Sequence, residues 1–238
     1  MLDTTIRAGR APLFALATAA SVVALTATAP QADAAFVIDD FSSPSPAAVL
    51  IGTSGSATNA DVVTSLGIGE RTVSRTTTAP GGGPAASNNT SVGDGSLTFD
   101  SGSTESQTTT ISYSFTSALD LLSHGDRFAF DFSSNDSFPG KPNANFPIPV
   151  ELTDGVGMSE TASFQLLDEG SVGATVENLL FSAYSSVDLS NVTGLEFVLD
   201  TNGFAGAPDF SIDSIAAVPL PGALPLFLGG LAGVGYVV

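Results

Sequence analysis

The stretch Arg127-Phe-Ala-Phe-Asp-Phe132 sets the pattern for the chain. Phe128, Phe130 and Phe132 fall on one face at period two, and Arg127, Ala129 and Asp131 fall on the other. Such alternation predicts a strand with one side in a core. The same period recurs in Thr108–Phe115, where Ile111, Tyr113 and Phe115 share a face. It recurs in Ser159–Leu167 (Phe164, Leu166) and in Gly194–Asp200 (Leu195, Phe197, Leu199). Asp209–Ala216 reads as the last strand, with Phe210, Ile212 and Ser214 alternating against Ser211, Asp213 and Ile215. Shorter or weaker strands are predicted at Phe36–Phe41, Ala48–Ile51, Ser96–Asp100, Ile148–Thr153 and Leu179–Tyr184. Gly69–Thr77 is threonine-rich, as strands often are.

Breakers punctuate these runs. Residues 42–46, 79–89, 133–147 and 201–208 are rich in Ser, Pro, Gly and Asn and predict surface loops. Asp154-Gly-Val-Gly157 predicts a hairpin turn. Asp120–Asp126 and Ser186–Val192 predict single helical turns. No stretch of the interior sustains a period of 3.6. Many short strands with turn signals between them predict an all-β fold, a single antiparallel β-sandwich of jelly-roll type spanning residues 35–216.

The two ends follow a different pattern. Arg7 and Arg10 precede an apolar run from Ala11 to Ala29, and Ala32-Asp33-Ala34 fits a small-x-small cleavage site. These are the parts of a secretory signal peptide, residues 1–34, with a mature chain starting at Ala35 or Phe36. At the other end no charged residue follows Asp213, and Val218 to Val238 is apolar throughout. Spanning ~30 Å of hydrocarbon takes ~20 apolar helical residues, so this run predicts an extended Pro-containing joint followed by a short membrane helix.

Charge narrows the partners. The chain carries a net charge of −18, and all but Asp3 and Asp33 of its 24 acidic residues lie beyond the signal peptide. The basic residues there are Arg71, Arg75, Arg127 and Lys141. Nucleic acid is excluded as a partner, since phosphate binding needs clustered Lys and Arg. Cysteine is absent, which rules out thiol chemistry, and a lone His124 beside Gly125 reads as a polar turn residue. No serine stands in a Gly-x-Ser-x-Gly elbow. The chain is therefore read as a non-catalytic protein. Sugar platforms are usually flat aromatics. There is no tryptophan, and Tyr113 and Tyr184 sit in core patterns, so Phe138 and Phe146 in the 133–147 loop are the candidates for exposed aromatic contact.

The tail resembles the VPLPA variant of the PEP-CTERM sorting signal. Val218, Pro219, Leu220 and Pro221 match the motif; Gly222 stands where the family has alanine, and no arginine cluster follows the apolar run here. The resemblance implies a bacterial exported protein, held by its tail in the inner membrane, recognised by an exosortase and released to the cell surface or extracellular matrix. It further implies a structural or adhesive role among extracellular polysaccharide. The interior resembles carbohydrate-binding-module-like jelly rolls in its opening Phe36-Val-Ile-Asp-Asp-Phe41, its Val187–Asp200 run and its closing Asp209–Ile215. That class commonly holds a structural calcium between first and last strands. The matching positions are Asp39 or Asp40 with Asp213, joined by Asp209. Solvated carboxylates on an acidic strand surface account for the same residues. A carbohydrate-binding module is the alternative function, and a hydrolase a third.

Overall fold

Phe128, Phe130 and Phe132 are fully buried, and around them the chain builds two antiparallel sheets. The computed structural model describes residues 34–43, 55–63, 68–78, 89–101, 106–136, 145–167, 174–201 and 208–219. The predicted strand Ala48–Ile51, the expected signal peptide up to Asp33 and the apolar tail from Leu220 lie outside them.

The strands are β1 (Phe36–Asp39), β2 (Gly55–Val63), β3 (Gly69–Thr78), β4 (Asn89–Gly93), β5 (Ser96–Asp100) and β6 (Ser106–Leu119). They continue with β7 (Arg127–Asp136), β8 (Asn145–Asp154), β9 (Ser159–Leu167), β10 (Thr175–Leu180), β11 (Val192–Asp200) and β12 (Asp209–Val218). One sheet has the order β10-β7-β12-β5-β4, with β1 also paired to β12; the other has the order β2-β3-β6-β11-β8-β9. Their inner faces interlock through aromatic pairs. Phe130 of the first sheet lies 4.7 Å from Phe164 and 6.0 Å from Phe197 of the second, centroid to centroid. Such pairs are worth about 0.5–1.5 kcal/mol beyond the area they bury.

Several sequence readings shift. β12 carries a bulge between Ile212 and Ser214. The extra residue inverts the alternation beyond it, so Ile215 and Ala217 are buried, and Ser214 is not. β12 also runs on through Ala217 to Val218, past the expected boundary at residue 216. Phe146, expected in an exposed loop, is fully buried at the start of β8. The predicted strand Leu179–Tyr184 gives way after Leu180 to a single 3₁₀ turn, Phe181–Ala183, and Ser186–Val192 holds one hydrogen-bonded turn, Asn191 N–H to Asp188 O at 3.0 Å, without a helix. The turn predicted in Asp120–Asp126 is there, as the 3₁₀ turn Leu121–Ser123 capped by the Asp120 carboxylate. Asp94-Gly95 joins β4 to β5, with φ of 55° and 82°. Positive φ at both central residues is the requirement of the tight hairpin turn that Asp-Gly meets best.

The antiparallel registers give the sandwich two unlike ends. Phe36 pairs with Ala217, Val218 with Arg127, and Arg127 with Leu180, so the first strand enters and the last strand leaves at one end. The second sheet shares this near end through Asp154, which pairs with Val192. Turns of the two sheets are tied there by Leu121 N–H to Leu189 O (2.9 Å) and Gly155 N–H to Asn191 O (2.9 Å). At the far end Thr78 pairs with Ser106, Asn89 with Asp100, Asn145 with Leu167, and Asp209 with Asp136.

Candidate functional site

The outer face of the second sheet is a field of hydroxyls and carboxylates. Its rows can be read across the registers. Thr72 pairs with Ser112, Ser112 with Glu196, Glu196 with Glu151, and Glu151 with Thr161. The neighbouring row runs Glu70, Ser114, Gly194, Thr153 and Ser159. On the other side Thr76 pairs with Thr108 and Thr108 with Asp200. All of these residues are open or half-open to solvent. The strands put them there because their alternate positions, Val73, Ile111, Phe197, Val150 and Phe164, are buried.

Side chains on this face are oriented by one another. Ser112 Oγ donates to Glu196 Oε2 at 2.8 Å, Thr108 Oγ1 to Asp200 Oδ1 at 3.1 Å, and Thr161 Oγ1 to Glu151 Oε2 at 3.3 Å. Thr153 and Ser159 share a hydrogen bond of 2.8 Å. Glu196 and Glu151 stand directly opposite on adjacent strands. Like charges so placed cost stability. Neither an Arg nor a Lys stands in these rows.

The arginines are instead inside. Arg71, Val73, Arg75 and Thr77 form the inward face of β3, all buried. Arg71 Nη1 meets Asp39 Oδ2 at 2.6 Å and its Nη2 donates to Ser43 O at 2.7 Å. Tyr113 Oη donates to the same Asp39 oxygen at 2.9 Å. Burial first, then the Asp39 charge, push the Tyr113 phenol well above its ordinary range, with Arg71 pulling the other way. Phe41 takes a φ of 51°, and its N–H donates to Asp39 Oδ1 at 2.8 Å; its ring lies 5.7 Å from the Arg71 guanidinium carbon. A bulky residue there is held against its preference, which this mesh of contacts over-determines. Nothing in the Gly69–Thr77 pattern beyond its parity pointed to inward arginines.

Asp40, Asp209 and Asp213, the calcium candidates, each make a local bond. Asp40 Oδ1 accepts from Ser42 N–H and hydroxyl, at 3.1 and 2.8 Å. Asp209 Oδ1 accepts from Ser101 N–H at 3.0 Å, and Asp213 Oδ1 from Ser133 Oγ at 2.6 Å. The first and last strands do lie side by side, as the jelly-roll resemblance implied. Among the described residues no three His, Cys, Asp or Glu side chains are gathered to hold a metal ion. Asp39 is committed to Arg71.

Of the expected sorting motif, Val218 and Pro219 are described and half-buried. The Val218 carbonyl accepts from Asp126 N–H at 3.1 Å. Gly125 lets them approach: a Cβ there would collide with the Val218 carbonyl oxygen. Leu220 and Pro221 lie outside the described residues, as do Ala32, of the expected cleavage site, and Phe138. Ala34, also of that site, is exposed. His124 stacks on Phe36 at 4.0 Å. Tyr113 and Tyr184 are buried as predicted. Among the described residues no helix is long and apolar enough to cross a membrane.

Two carboxylates organise the near end: Glu160, which the sequence did not single out, and Asp154, read there only as part of the hairpin turn. Glu160 accepts the N–H groups of Ser185 (2.7 Å), Ser186 (2.6 Å) and Val187 (3.3 Å), and the Ser185 hydroxyl (2.9 Å). The Ser186 amide leads in holding its carboxyl below the usual value, against a smaller upward push from burial. Asp154 is itself buried, which pushes its carboxyl up. The amides of Met158, Asp188, Val156 and Gly157 together outweigh that and leave it lowered.

No family model and no curated protein matches the chain. Among solved structures, a family 11 carbohydrate-binding module from Clostridium thermocellum, in complex with a beta-1,3-1,4-mixed-linked tetrasaccharide, is similar over 79% of this chain and 98% of its own, at 13% identity and TM-score 0.38. The CBM22-1 xylan-binding domain from Paenibacillus barcinonensis Xyn10C is similar over 80% and 99%, at 13% identity and TM-score 0.32. A structure of PfGH50B is similar over 54% of this chain at 14% identity and TM-score 0.37, and the chain spans only 21% of it. Likenesses of this depth assign neither a family nor a ligand.

Proposed function

We propose that the chain is an exported, non-catalytic sandwich, sorted by its tail through an exosortase-type system. It contacts neutral extracellular polysaccharide through the outer face of the second sheet. The sorting half rests on the residues at both ends of the sequence. The contact half rests on one observation: Glu151 and Glu196 face each other across adjacent strands on an open Ser/Thr surface, with no basic residue beside them in their row. Sugar hydroxyls donate well to carboxylates, and charge-assisted hydrogen bonds are about twice as strong as neutral ones. A hydroxyl-rich polymer lying across the rows would thus offset a repulsion that the bare protein carries alone. An acidic polymer would meet the same repulsion that the protein's own charge creates. No aromatic side chain stands in these rows to stack on a sugar ring, so affinity per site belongs in the millimolar range, about −4 kcal/mol. Useful retention then comes from many contacts along a polymer.

The test is affinity electrophoresis of the exported protein in gels containing neutral or acidic polysaccharide. Retardation is expected in at least one neutral gel and in none of the acidic ones. The double variant Glu151→Gln, Glu196→Gln should lose that retardation. It should also gain about 0.2–1 kcal/mol of stability, because the like-charge pair is gone. A variant that keeps its retardation removes the face from the account.

A further inference from the structure

Among the described residues five large apolar side chains are well exposed, and four of them stand at the near end of the sandwich, where β12 leaves. Leu122 (57% exposed) is in the 3₁₀ turn that leads to Gly125 and Asp126, the residues that meet the Val218 carbonyl. Val156 (82%) and Met158 (50%) are on the turn between β8 and β9, and Leu180 (47%) ends β10 on the same rung as Arg127 and Val218. The fifth, Val176, is four residues back along β10. Single exposed apolar residues are ordinary on any protein, but they are ordinarily scattered. Here they mark one end, and nineteen uncharged residues, 220–238, follow from that end. Phe36, where the chain comes in from the signal peptide, is there too.

We infer that this end is a lipid-facing foot: while the tail is held in a bilayer, Leu122, Val156, Met158 and Leu180 rest in the interfacial layer of that membrane. The inference rests on the tail acting as the membrane anchor, as proposed above. Only Pro219 separates Val218, the last sheet residue, from the segment that runs on as the apolar tail. A joint that short keeps the near end within reach of any surface the tail enters. Three acids at this end are tied locally. Asp120 caps the 3₁₀ turn, Asp126 meets Arg127 Nε at 2.9 Å, and Asp188 accepts from Ser190 N–H at 3.0 Å. Apolar side chains reaching just past the headgroups are the usual means by which a surface domain sits on lipid.

The absence of tryptophan supplies the probe. Full-length protein carrying Val156→Trp, Leu180→Trp or, at the far end, Thr76→Trp is reconstituted into phosphatidylcholine vesicles with a shallow spin-labelled quencher lipid, and flotation is scored beside fluorescence. The chain should float, and the residue-156 and residue-180 probes should dim to roughly half while the residue-76 probe holds. A chain that stays at the bottom of the gradient overturns the anchor and the foot together. A chain that floats with the near-end probes undimmed, or with all three dimmed alike, overturns the foot alone. A blue shift of the near-end probes without vesicles, with a doubled mass, gives the surface to a second copy and also overturns it.

Discussion

Asp39, Arg71 and Tyr113 are the residues on which the polar half of the core depends. The ion pair is wholly inside, with side-chain exposures of 2% and 0%, so neither member has water to fall back on. Bringing two charges indoors costs several kcal/mol each, and their mutual attraction recovers this only while both remain. Replacing either alone, by Asp39→Asn or Arg71→Met, should lower unfolding free energy by about 3–5 kcal/mol. The double variant should lose much less than the sum, because no charge is then stranded. Denaturant unfolding of the four proteins checks this. Additive losses would mean that the two side chains act independently despite their 2.6 Å contact.

At the scale of elements, the segment between β10 and β11 is held to the β8–β9 hairpin by two carboxylates. Asp154 receives Asp188 N–H at 3.2 Å, and Glu160 receives the amides of Ser185 to Val187. Both carboxyls lie below their ordinary range in the folded chain. A group depressed on folding contributes fully above its unfolded value, near 4, and loses that contribution as pH falls through the folded value. The double variant Asp154→Asn, Glu160→Gln should therefore melt lower than the parent at pH 7. The two melting curves should converge as pH drops below about 4. Parallel curves across that range would rule out the carboxylates as the source of the acid sensitivity.

Much of this architecture was legible where apolar side chains alternate. Phe128, Phe130 and Phe132, or Leu195, Phe197 and Leu199, are each large enough to fix the face of a strand. β2 was not legible, because Gly-Ser-Ala-Thr-Asn-Ala-Asp-Val-Val offers no large side chain before its end and pairs only with β3, at the sheet's edge. Phe146 was hidden by Pro147, which closes the loop read over 133–147, while Pro149 fell inside the predicted strand Ile148–Thr153. Pairing of β8 with β11 reaches only Val150, so the two prolines fall where β8 has β9 alone for a partner and the missing N–H groups cost little. The bulge in β12 leaves no mark that alternation can register. The outward rows around Glu151 and Glu196 were equally silent, since registers between strands decide which side chains meet, and a single strand's sequence does not carry its neighbour's register.

At the scale of the whole molecule, most carboxylates of the described residues reach solvent, and the first and last strands lie side by side. Arg71 and Arg75 are buried, so among the described residues Arg127 is the basic side chain that reaches solvent, beside the exit of β12. The other charged side chains on the described surface are acidic, which favours separation of copies in solution and repels acidic polymers. In the proposed reading the signal peptide and the tail make the chain an exported one, while the described strands run from Phe36 in β1 to Val218 in β12. The most direct test of that claim is the intact mass of the protein recovered from outside its native cells. The account predicts a chain beginning at Ala35 or Phe36 and ending at or just beyond the Val218–Pro221 motif. A full-length 23.9 kDa chain recovered from the cytosol, with both apolar ends in place, would contradict it.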